Sequence, residues 1–181
     1  MLNLMQMDDF LVIDLETTGL GSDAEICEIA IINKAGDTLL HALVNPTHGI
    51  PTEASSIHGI TPDRVKNASP FHLLWPSISW MLETSHVIAY NAEFEERILR
   101  QCAGEQRHSV DLVANWHCAM KAYAKHYGDW NPRFKSYKWK SLDVACKEFG
   151  IQLDNAHSAL DDARATLAVV KALAALEDEP F

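Results

Sequence analysis

The chain has 181 residues, of which 48% are hydrophobic and 22% charged, and its formal net charge is −10. These values are typical of a soluble globular protein with a sizeable core, and they disfavour a protein that coats nucleic acid by charge alone. No apolar run approaches the roughly 20 residues that span a bilayer. Acidic residues stand at positions 8 and 9, where a signal peptide would be basic, so we expect a cytoplasmic protein without a membrane partner.

The first part of the chain predicts three strands in an antiparallel meander. Phe10–Leu15 contains four consecutive apolar residues, which suits a strand buried on both faces. Ile26–Asn33 and Thr38–Val44 follow, joined by a short turn that contains Gly36. Asn45–Pro70 holds four of the seven prolines and is predicted as a loop with one helical turn.

Helical periodicity dominates the second part, with two short apolar strands between the helices. The predicted elements are helix Phe71–Glu83, strand His86–Ala89, helix Ala92–Cys102, strand Asn115–His117 leading into a helix through Tyr127, helix Ser141–Phe149 and helix Leu160–Leu176. Three strands followed by alternating helices and strands predict an α/β domain in which helices flank a mixed five-stranded sheet. We expect one domain, whose core runs from about residue 8 to about residue 176.

The four cysteines are widely spaced and form no Cys-x-x-Cys pair: Cys27, Cys102, Cys118 and Cys146. Such spacing is typical of reduced, buried thiols in a cytosolic protein. One disulfide among them is the alternative that the sequence leaves open.

Two carboxylates stand at the end of the first predicted strand, in the run Asp14-Leu15-Glu16. Residues i and i+2 of a strand point to the same side, so both carboxylates project together. With no basic neighbour they repel each other and are costly to bury, and a divalent cation removes that cost. The pair therefore indicates half of a metal site, whereas a solvated strand end is the plainer alternative.

Two more acidic clusters begin predicted helices. Glu93–Glu96 holds three carboxylates after the strand at 86–89, and acidic residues favour a first helical turn because they complement the helix dipole. In the last helix, a capping box with Ser158 explains Asp161 without any function. It leaves Asp162 and the nearby His157 without a structural reason.

Taken together, these clusters resemble the DEDD superfamily of 3′–5′ exonucleases in its histidine-type branch, the group of bacterial proofreading subunits and ribonuclease T. The matching motifs, in chain order, are Asp14-x-Glu16, the His-Gly-Ile-Thr segment His58–Thr61, the Asn-Ala-x-Phe segment Asn91–Phe94 and His157-x-x-x-x-Asp162. The resemblance extends from about Phe10 to Leu173. Trp116–Lys121, followed by a basic loop, is most similar to the exonuclease X-like subgroup.

The resemblance implies a ribonuclease H-like fold and a metal-dependent 3′–5′ exonuclease that releases nucleoside 5′-monophosphates by a two-metal mechanism. Four carboxylates would hold two divalent cations, Mg²⁺ or Mn²⁺: Asp14, Glu16, Glu95 and Asp162. Asp14 would bridge both cations. His157 would act as general base on the attacking water, a role that suits imidazole near neutral pH. A helix cap or surface histidine is the alternative for His157.

Position 95 departs from the family pattern, because most members carry Asp where this chain carries Glu95. The extra methylene moves the carboxylate outward, and Mg²⁺ demands nearly ideal octahedral coordination. We therefore predict that Mn²⁺ supports at least as much activity as Mg²⁺.

The resemblance also implies which residues grip a 3′ end. Those assigned to substrate binding are Thr17, Thr18, Leu20, His58 and Asn91. The backbone of the two threonines would lie near the terminal nucleotide, and Leu20 with the segment that begins at His58 would wedge or stack against the last bases. A place in the core is the alternative for Leu20.

Basic and aromatic residues alternate in Arg133–Lys140, inside a stretch from 121 to 147 with seven basic and two acidic residues. Such interleaving offers phosphate contacts and stacking surfaces together. We predict that Lys135, Lys138 and Lys140 hold the strand backbone, so that neutralising all three weakens binding and flattens its salt dependence. A solvated loop whose aromatics tuck into the domain is the alternative.

The implied partner is the 3′ end of a nucleic acid. Single-stranded DNA is favoured and RNA is left open, because no residue reports on contact with the 2′-position. A catalytically silent domain of the same fold, which binds nucleic-acid ends or a protein, is the first competing function, and a structural protein with incidental acidic helix caps is the second. The oligomeric state is open, since the Ala-rich Leu160–Leu176 would suit either a core or a homodimer seam.

Overall fold

The computed structural model describes residues 9–105, 114–153 and 157–177, and its centre is a five-stranded mixed sheet. The strands are β1 Leu11–Thr17, β2 Ile26–Asn33, β3 Thr38–Leu43, β4 His86–Ala89 and β5 Asn115–Cys118. They lie in the order β3-β2-β1-β4-β5. The first three form the predicted antiparallel meander, β4 runs parallel to β1, and β5 runs parallel to β4. The predicted mixed sheet is confirmed.

The described residues also contain seven helices and a small hairpin. The helices are α1 Thr52–His58, α2 Pro62–Val65, α3 Phe71–Leu82, α4 Ala92–Glu105, α5 Ala119–Tyr127, α6 Leu142–Phe149 and α7 Ala159–Glu177. The hairpin pairs β6 Trp130–Asn131 with β7 Ser136–Tyr137. The five longest helices agree with the predicted ones to within three residues at each end. Gly150 ends α6 in a left-handed conformation with φ 65°, as its position predicts.

Alternate residues of β1 feed two hydrophobic cores on opposite faces of the sheet. Ile13 belongs to the core that α3 and α4 cover. Val12 belongs to the core that α5, α6 and α7 cover. Because side chains alternate along a strand, Asp14 and Glu16 share the side of Val12 and face the layer that contains α7.

The segment from 45 to 70 differs from its prediction, because it forms two short helices, α1 and α2, rather than a loop with one turn. Gly59 ends α1 with φ 69°, a left-handed conformation that suits glycine, and Pro62 opens α2. Ile60 and Val65 are buried in a small third core. Tertiary burial rather than helical periodicity stabilises both helices, since helices this short are marginal on their own.

Neither a disulfide nor a bilayer-spanning helix occurs in the described part of the chain. None of the four cysteines forms a disulfide, and Cys118 alone among them is only partly buried. No helix in the ranges given above combines the length and the apolar character needed to cross a membrane.

The carboxyl ends of β1 and β4 meet at one edge of the sheet, because the two strands are parallel neighbours. Glu16 lies near the end of β1, and α4 begins three residues after β4 ends. The amino end of α7 reaches the same edge, since the backbone N–H of Ala159 bonds Glu28, the β2 residue opposite Glu16. Both predicted acidic helix starts therefore lie beside the acidic end of β1.

Candidate functional site

Four carboxylates from three elements meet at this edge of the sheet. Asp14 and Glu16 of β1 are each 9% exposed, and Glu95 in the first turn of α4 is 6% exposed. Asp162 lies in the first turn of α7 and is half-buried. The charges of Glu95, Asp162 and Glu16 all act on Asp14. Residues predicted from three separate motifs thus form one cluster around Asp14.

Burial and mutual repulsion favour the protonated forms of these carboxylates. Burial first, and then repulsion from Glu95 and Asp162, raises the pKa of Asp14 well above its ordinary value. Burial is also the main reason that the pKa of Glu16 rises from 4.5 to about 8 and that of Asp162 from 3.8 to about 6. The pKa of Glu95 is raised by burial and by the charges of Glu16 and Asp162. Such a cluster is costly unless positive charge enters it.

Two buried oxygens in the cluster have no hydrogen-bond partner within the described residues: Glu95 Oε2 and Asp162 Oδ1. An unpaired buried carboxylate oxygen costs free energy, and a bound cation would satisfy it. One ligand atom each of Glu16, His157 and Asp162 lies within 4.8 Å of the other two. Several carboxylate oxygens suit hard divalent cations such as Mg²⁺ or Mn²⁺, so the residues fit the implied metal.

His157 approaches the cluster from the loop before α7 and is exposed to solvent. Its φ of 68° lies in the left-handed region, which is uncommon for a residue other than glycine. Its backbone also hydrogen-bonds the Asp162 carboxylate, which partly offsets the effect of burial on the pKa of Asp162. The loop thus holds the imidazole beside Glu16 and Asp162 while leaving it open to water, as a general base requires.

Glu28 is a fifth buried carboxylate at the site, and the sequence motifs do not identify it. It is 6% exposed and lies opposite Glu16 in the β1–β2 pairing. Its Oε2 accepts a hydrogen bond from the backbone N–H of Ala159 at 3.1 Å, and its Oε1 bonds His41 Nε2 at 2.8 Å. Glu28 therefore ties β2 to the helix that carries Asp162. The signal in the sequence is a single charged residue within the apolar run of β2.

We expect Glu28→Ala to weaken the apparent affinity for Mn²⁺ by about 10- to 100-fold, the usual cost of removing a group that orients metal ligands. The loss follows because the start of α7, and with it Asp162, loses its contact with β2. Glu28→Gln keeps an acceptor for the Ala159 N–H, so it is the matched control and should stay close to the wild-type affinity. Thermal stability titrated with Mn²⁺ measures both variants. Equal affinities in wild type and Glu28→Ala would contradict this role.

We expect the unfolding free energy in chelator to fall as pH rises from about 5 to about 8. The folded protein holds a proton on Glu16 up to a pKa of about 8, whereas the ordinary value is 4.5. The folded state thus binds more protons than the unfolded chain in this window, so stability is present at low pH and is lost as pH rises. At about 1.4 kcal/mol per pKa unit the loss amounts to a few kcal/mol.

Denaturant unfolding at several pH values, with chelator and with Mn²⁺, measures this loss. Mn²⁺ should remove most of it, because a cation stabilises the ionised carboxylates. Stability that rises with pH in chelator across the same window would contradict the raised pKa of Glu16.

His58, predicted to contact substrate, also fastens the end of α1 to the end of β1. Its Nδ1 accepts the backbone N–H of Ile60 at 3.0 Å, so Nε2 carries the proton and donates to the carbonyl of Thr17 at 3.3 Å. Burial lowers the pKa of His58, which favours the neutral ring. The ring therefore positions the backbone at Thr17, where the resemblance implies the terminal nucleotide.

Leu20 is 80% exposed, so the alternative of a core position is wrong. The loop that carries it, between β1 and β2, is fastened by Arg97 of α4. Arg97 Nη2 donates to the carbonyl of Leu20 at 3.1 Å, and Nη1 donates to that of Gly21 at 3.3 Å. The guanidinium also lies 5.2 Å from the ring centre of Phe94. Leu20 is thus an apolar side chain held out into solvent from the loop that follows the acidic end of β1.

Hydrogen bonds within the protein also fix three other residues that are predicted to bind substrate: Thr17, Thr18 and Asn91. Thr17 Oγ1 donates to the carbonyl of Gly19 at 2.8 Å, and Thr18 Oγ1 accepts a backbone N–H from just before β2 at 2.9 Å. The carbonyl of Asn91 accepts the backbone N–H of Glu95 at 3.1 Å. Each threonine hydroxyl thus makes one hydrogen bond within the loop, and the resemblance assigns the backbone of these residues to substrate.

The predicted basic loop is the β6–β7 hairpin, and two of its three proposed phosphate-binding lysines are paired within the protein. Lys138 Nζ lies 3.0 Å and Lys140 Nζ 2.7 Å from the carboxylate of Asp129. Lys135 is exposed in the turn, with φ 50°. Competition from Asp129 lowers the positive charge that the first two lysines offer to a phosphate, so their contact with substrate stays a prediction.

Comparison with known proteins gives both a family match and close relatives in sequence. Residues 11–170 match the family model RNase_T, described as Exonuclease. The uncharacterized exonuclease CP81 of Escherichia phage 186 is 40% identical over 173 residues, which cover 92% of this chain and 89% of the phage protein. The chain spans only 11% of the length of the PolC-type DNA polymerase III relatives from Thermotoga that it also matches.

Solved structures that share the fold include two exonucleases. Exonuclease X in complex with 5′-overhanging duplex DNA matches with a TM-score of 0.71 and 23% identity, over 94% of each chain. The nuclease domain of 3′hExo, a DEDDh family member bound to rAMP, matches with a TM-score of 0.72 and 22% identity, over 96% of this chain and 94% of that one. The predicted ribonuclease H-like fold is confirmed.

Proposed function

Because the chain belongs to the RNase_T exonuclease family, we propose that it acts as a histidine-type DEDD exonuclease. It would remove nucleoside 5′-monophosphates from the 3′ end of single-stranded nucleic acid, with DNA preferred. The oxygen of a water molecule bonds to phosphorus, and the bond from phosphorus to the 3′-oxygen of the preceding nucleotide breaks. The leaving 3′-oxygen takes up a proton. The proposed cofactors are two divalent cations, Mg²⁺ or Mn²⁺.

The cluster of buried carboxylates around Asp14 is the observation that carries this proposal. It combines raised pKa values, two buried oxygens that lack a hydrogen-bond partner in the described part of the chain, and an exposed histidine on one side. An anionic phosphate approaches four carboxylates only when cations offset their charge. A helix start that is acidic for structural reasons alone would face solvent, whereas Glu95 is buried.

Each residue of the cluster has a proposed role. The cations would be held by Asp14, Glu16, Glu95 and Asp162. When bound, they neutralise charge on the phosphate and lower the pKa of the attacking water. A ring nitrogen of His157 accepts the proton of that water, and its exposure lets the proton pass to solvent. Glu16 also accepts a hydrogen bond from the terminal 3′-hydroxyl, which restricts cleavage to chain ends.

The loop between β1 and β2 is proposed to separate the terminal nucleotide from the rest of the strand. Leu20 projects from that loop into solvent and wedges against the last bases. His58, which bonds the carbonyl of Thr17, flanks the same end of β1. An unpaired 3′ end enters such a site more readily than a paired one. One of the two compared structures holds DNA and the other a ribonucleotide, so fold alone does not select the sugar.

A gel time course on 5′-labelled single-stranded DNA and RNA of one sequence tests the proposal. We expect a one-nucleotide ladder that requires metal, disappears in chelator and in Asp162→Ala, and forms faster on DNA. Mn²⁺ should support at least the Mg²⁺ rate, because of the longer side chain of Glu95. Clearly higher rates in Mg²⁺ across a metal titration would contradict that last expectation alone.

The absence of a ladder with either polymer would overturn the proposed activity. If Mn²⁺ still stabilised the protein thermally, that result would favour a domain that binds nucleic-acid ends without cleaving them. Glu95→Asp would then test whether the longer carboxylate is the cause. No stabilisation by Mn²⁺ would favour the structural alternative.

A further inference from the structure

Exposed aromatic side chains are concentrated around the β6–β7 hairpin. Ten large hydrophobic side chains are exposed among the described residues, and four of them lie between 127 and 139. These four are Tyr127, Trp130, Phe134 and Trp139, with exposed fractions of 46, 50, 68 and 58%. Single exposed apolar residues are ordinary, but aromatic rings gathered on one small hairpin indicate a binding surface.

The hairpin holds an aromatic pair across its strands, and two lysines that follow its second strand are paired within the protein. Trp130 pairs with Tyr137 across the strands, and their rings lie 5.1 Å apart in an edge-on arrangement. Lys138 and Lys140, which alternate with Tyr137 and Trp139, both reach the one carboxylate of Asp129. Trp139 stands between these two lysines in the chain and is 58% exposed, so three aromatic rings, those of Trp130, Tyr137 and Trp139, belong to the hairpin and the two residues that follow it. We call these three rings the aromatic face.

Lys138 and Lys140 fasten the hairpin to the rest of the protein. Lys140 Nζ lies 4.5 Å from the ring centre of Tyr127 at the end of α5, in addition to its bond with Asp129. The backbone N–H of Lys138 donates to the carbonyl of Asp129 at 2.9 Å, which extends the strand pairing. Because these lysines are engaged within the protein, the exposed rings of Trp130 and Trp139 are more available than the two lysines to contact a ligand.

The hairpin stands at the same edge of the sheet as the carboxylate cluster. Tyr90 directly follows β4 and lies five residues before Glu95. Its hydroxyl donates to the carbonyl of Lys140 at 2.9 Å, just beyond β7. Its own carbonyl accepts the backbone N–H of Met120 in α5 at 2.9 Å. The base of the hairpin is therefore tied to the end of β4, beside the start of α4 that carries Glu95.

We propose that the aromatic face stacks on unpaired bases of the substrate strand, upstream of the nucleotide being removed; this rests on the function proposed above. A strand whose 3′ end enters the carboxylate cluster continues past this edge of the sheet, where the hairpin flanks it. Every base has a flat face that stacks on indole or phenol rings regardless of sequence. Arg133, which lies 5.4 Å from the ring centre of Phe134, adds a cation for the backbone of the same strand.

A scan with abasic nucleotides tests this binding without any change to the protein. Single-stranded DNA with one abasic site, moved stepwise from the 3′ end, is titrated by fluorescence anisotropy with Ca²⁺, whose looser coordination suits binding rather than hydrolysis. We expect an upstream position, separate from the 3′-terminal nucleotides, where the abasic site weakens binding roughly tenfold. If the abasic site weakened binding only when it replaced one of the 3′-terminal nucleotides, the proposal would be overturned.

The double variant Trp130→Ala/Trp139→Ala should bind intact DNA roughly tenfold more weakly and lose the upstream abasic effect. Trp80→Ala is the matched control, because Trp80 is 77% exposed but lines a cavity of about 400 Å³ with Leu11 and His86, at the opposite edge of the sheet. It should bind as the wild type does. If the affinity depended on the position of the abasic site in the same way in the double variant and in the control, the proposal would be overturned. The aromatic face would then be assigned to a protein partner.

A trinucleotide separates failure of this inference from failure of the proposed function. It is too short to extend from the cluster along the hairpin, so wild type and double variant should cleave it at equal rates in Mn²⁺. No cleavage by the wild type of either the trinucleotide or the longer strand would overturn the exonuclease activity itself. Cleavage together with a flat upstream abasic profile would overturn the role of the aromatic face alone.

Discussion

Asp14→Asn is expected to abolish the nuclease activity while making the protein more stable in chelator. The rate should fall by on the order of 10³-fold, since lost cation charge is worth several kcal/mol to the transition state and each 1.4 kcal/mol is tenfold. Stability should rise by roughly 1–3 kcal/mol. The amide removes a buried carboxyl whose pKa is raised by burial and by four neighbouring carboxylates. A lower cleavage rate together with a higher stability distinguishes this outcome from a general disruption of the fold, which would lower both.

Ladder rates and thermal unfolding, with chelator and with Mn²⁺, measure both effects. Asp63→Asn is the control, because Asp63 is an exposed carboxylate paired with Lys66 near the other end of a short surface helix, and its loss should change neither assay. Stabilisation by Mn²⁺ should also disappear in Asp14→Asn. A variant that is inactive and also less stable in chelator would contradict the electrostatic account and make Asp14 a residue needed for folding.

The fold could be predicted where one local pattern dominates. Apolar runs located β1, β2 and β4 to within two residues at each end, because a strand buried on both faces of a sheet tolerates few polar residues. β1 continues to Thr17, beyond its apolar run, since it stays paired with β2 there. The segment from 45 to 70 was not predictable in this way. Its helices have seven and four residues, too few to show a period.

In the candidate site, too, some residues were predictable from motifs, whereas others depend on how the strands pair. The resemblance assigns the four carboxylates to one site, and in the fold the elements that carry them meet at one edge of the sheet. Glu28 was missed because its place opposite Glu16 depends on the β1–β2 register. The pairing of Lys138 and Lys140 with Asp129 was not predictable either, because it depends on the β6–β7 hairpin, whose two-residue strands are too short to show a sequence pattern. Motifs thus indicate which residues carry chemistry, and strand register determines which charges remain free.

His157→Asn is expected to lower the rate by about 10²- to 10⁴-fold at saturating Mn²⁺, the usual contribution of a general base. Asn tolerates the left-handed backbone that His157 adopts, φ 68°, so the variant removes the imidazole without altering the loop. Most of the stabilisation by Mn²⁺ should remain, because all four carboxylates are still present. This pattern differs from that of Asp14→Asn, which should lose both the rate and the stabilisation.

Rates and Mn²⁺ titrations of His157→Asn and His157→Ala together separate chemistry from backbone effects. Ala removes the same ring but is strained at a positive φ, so any extra loss of thermal stability in that variant reports the loop and not the reaction. Equal rates in both variants would assign the loss to the imidazole. A large loss of Mn²⁺ stabilisation in His157→Asn would contradict the role of general base. It would instead make His157 a metal ligand, a role that its position within 4.8 Å of Glu16 and Asp162 also allows.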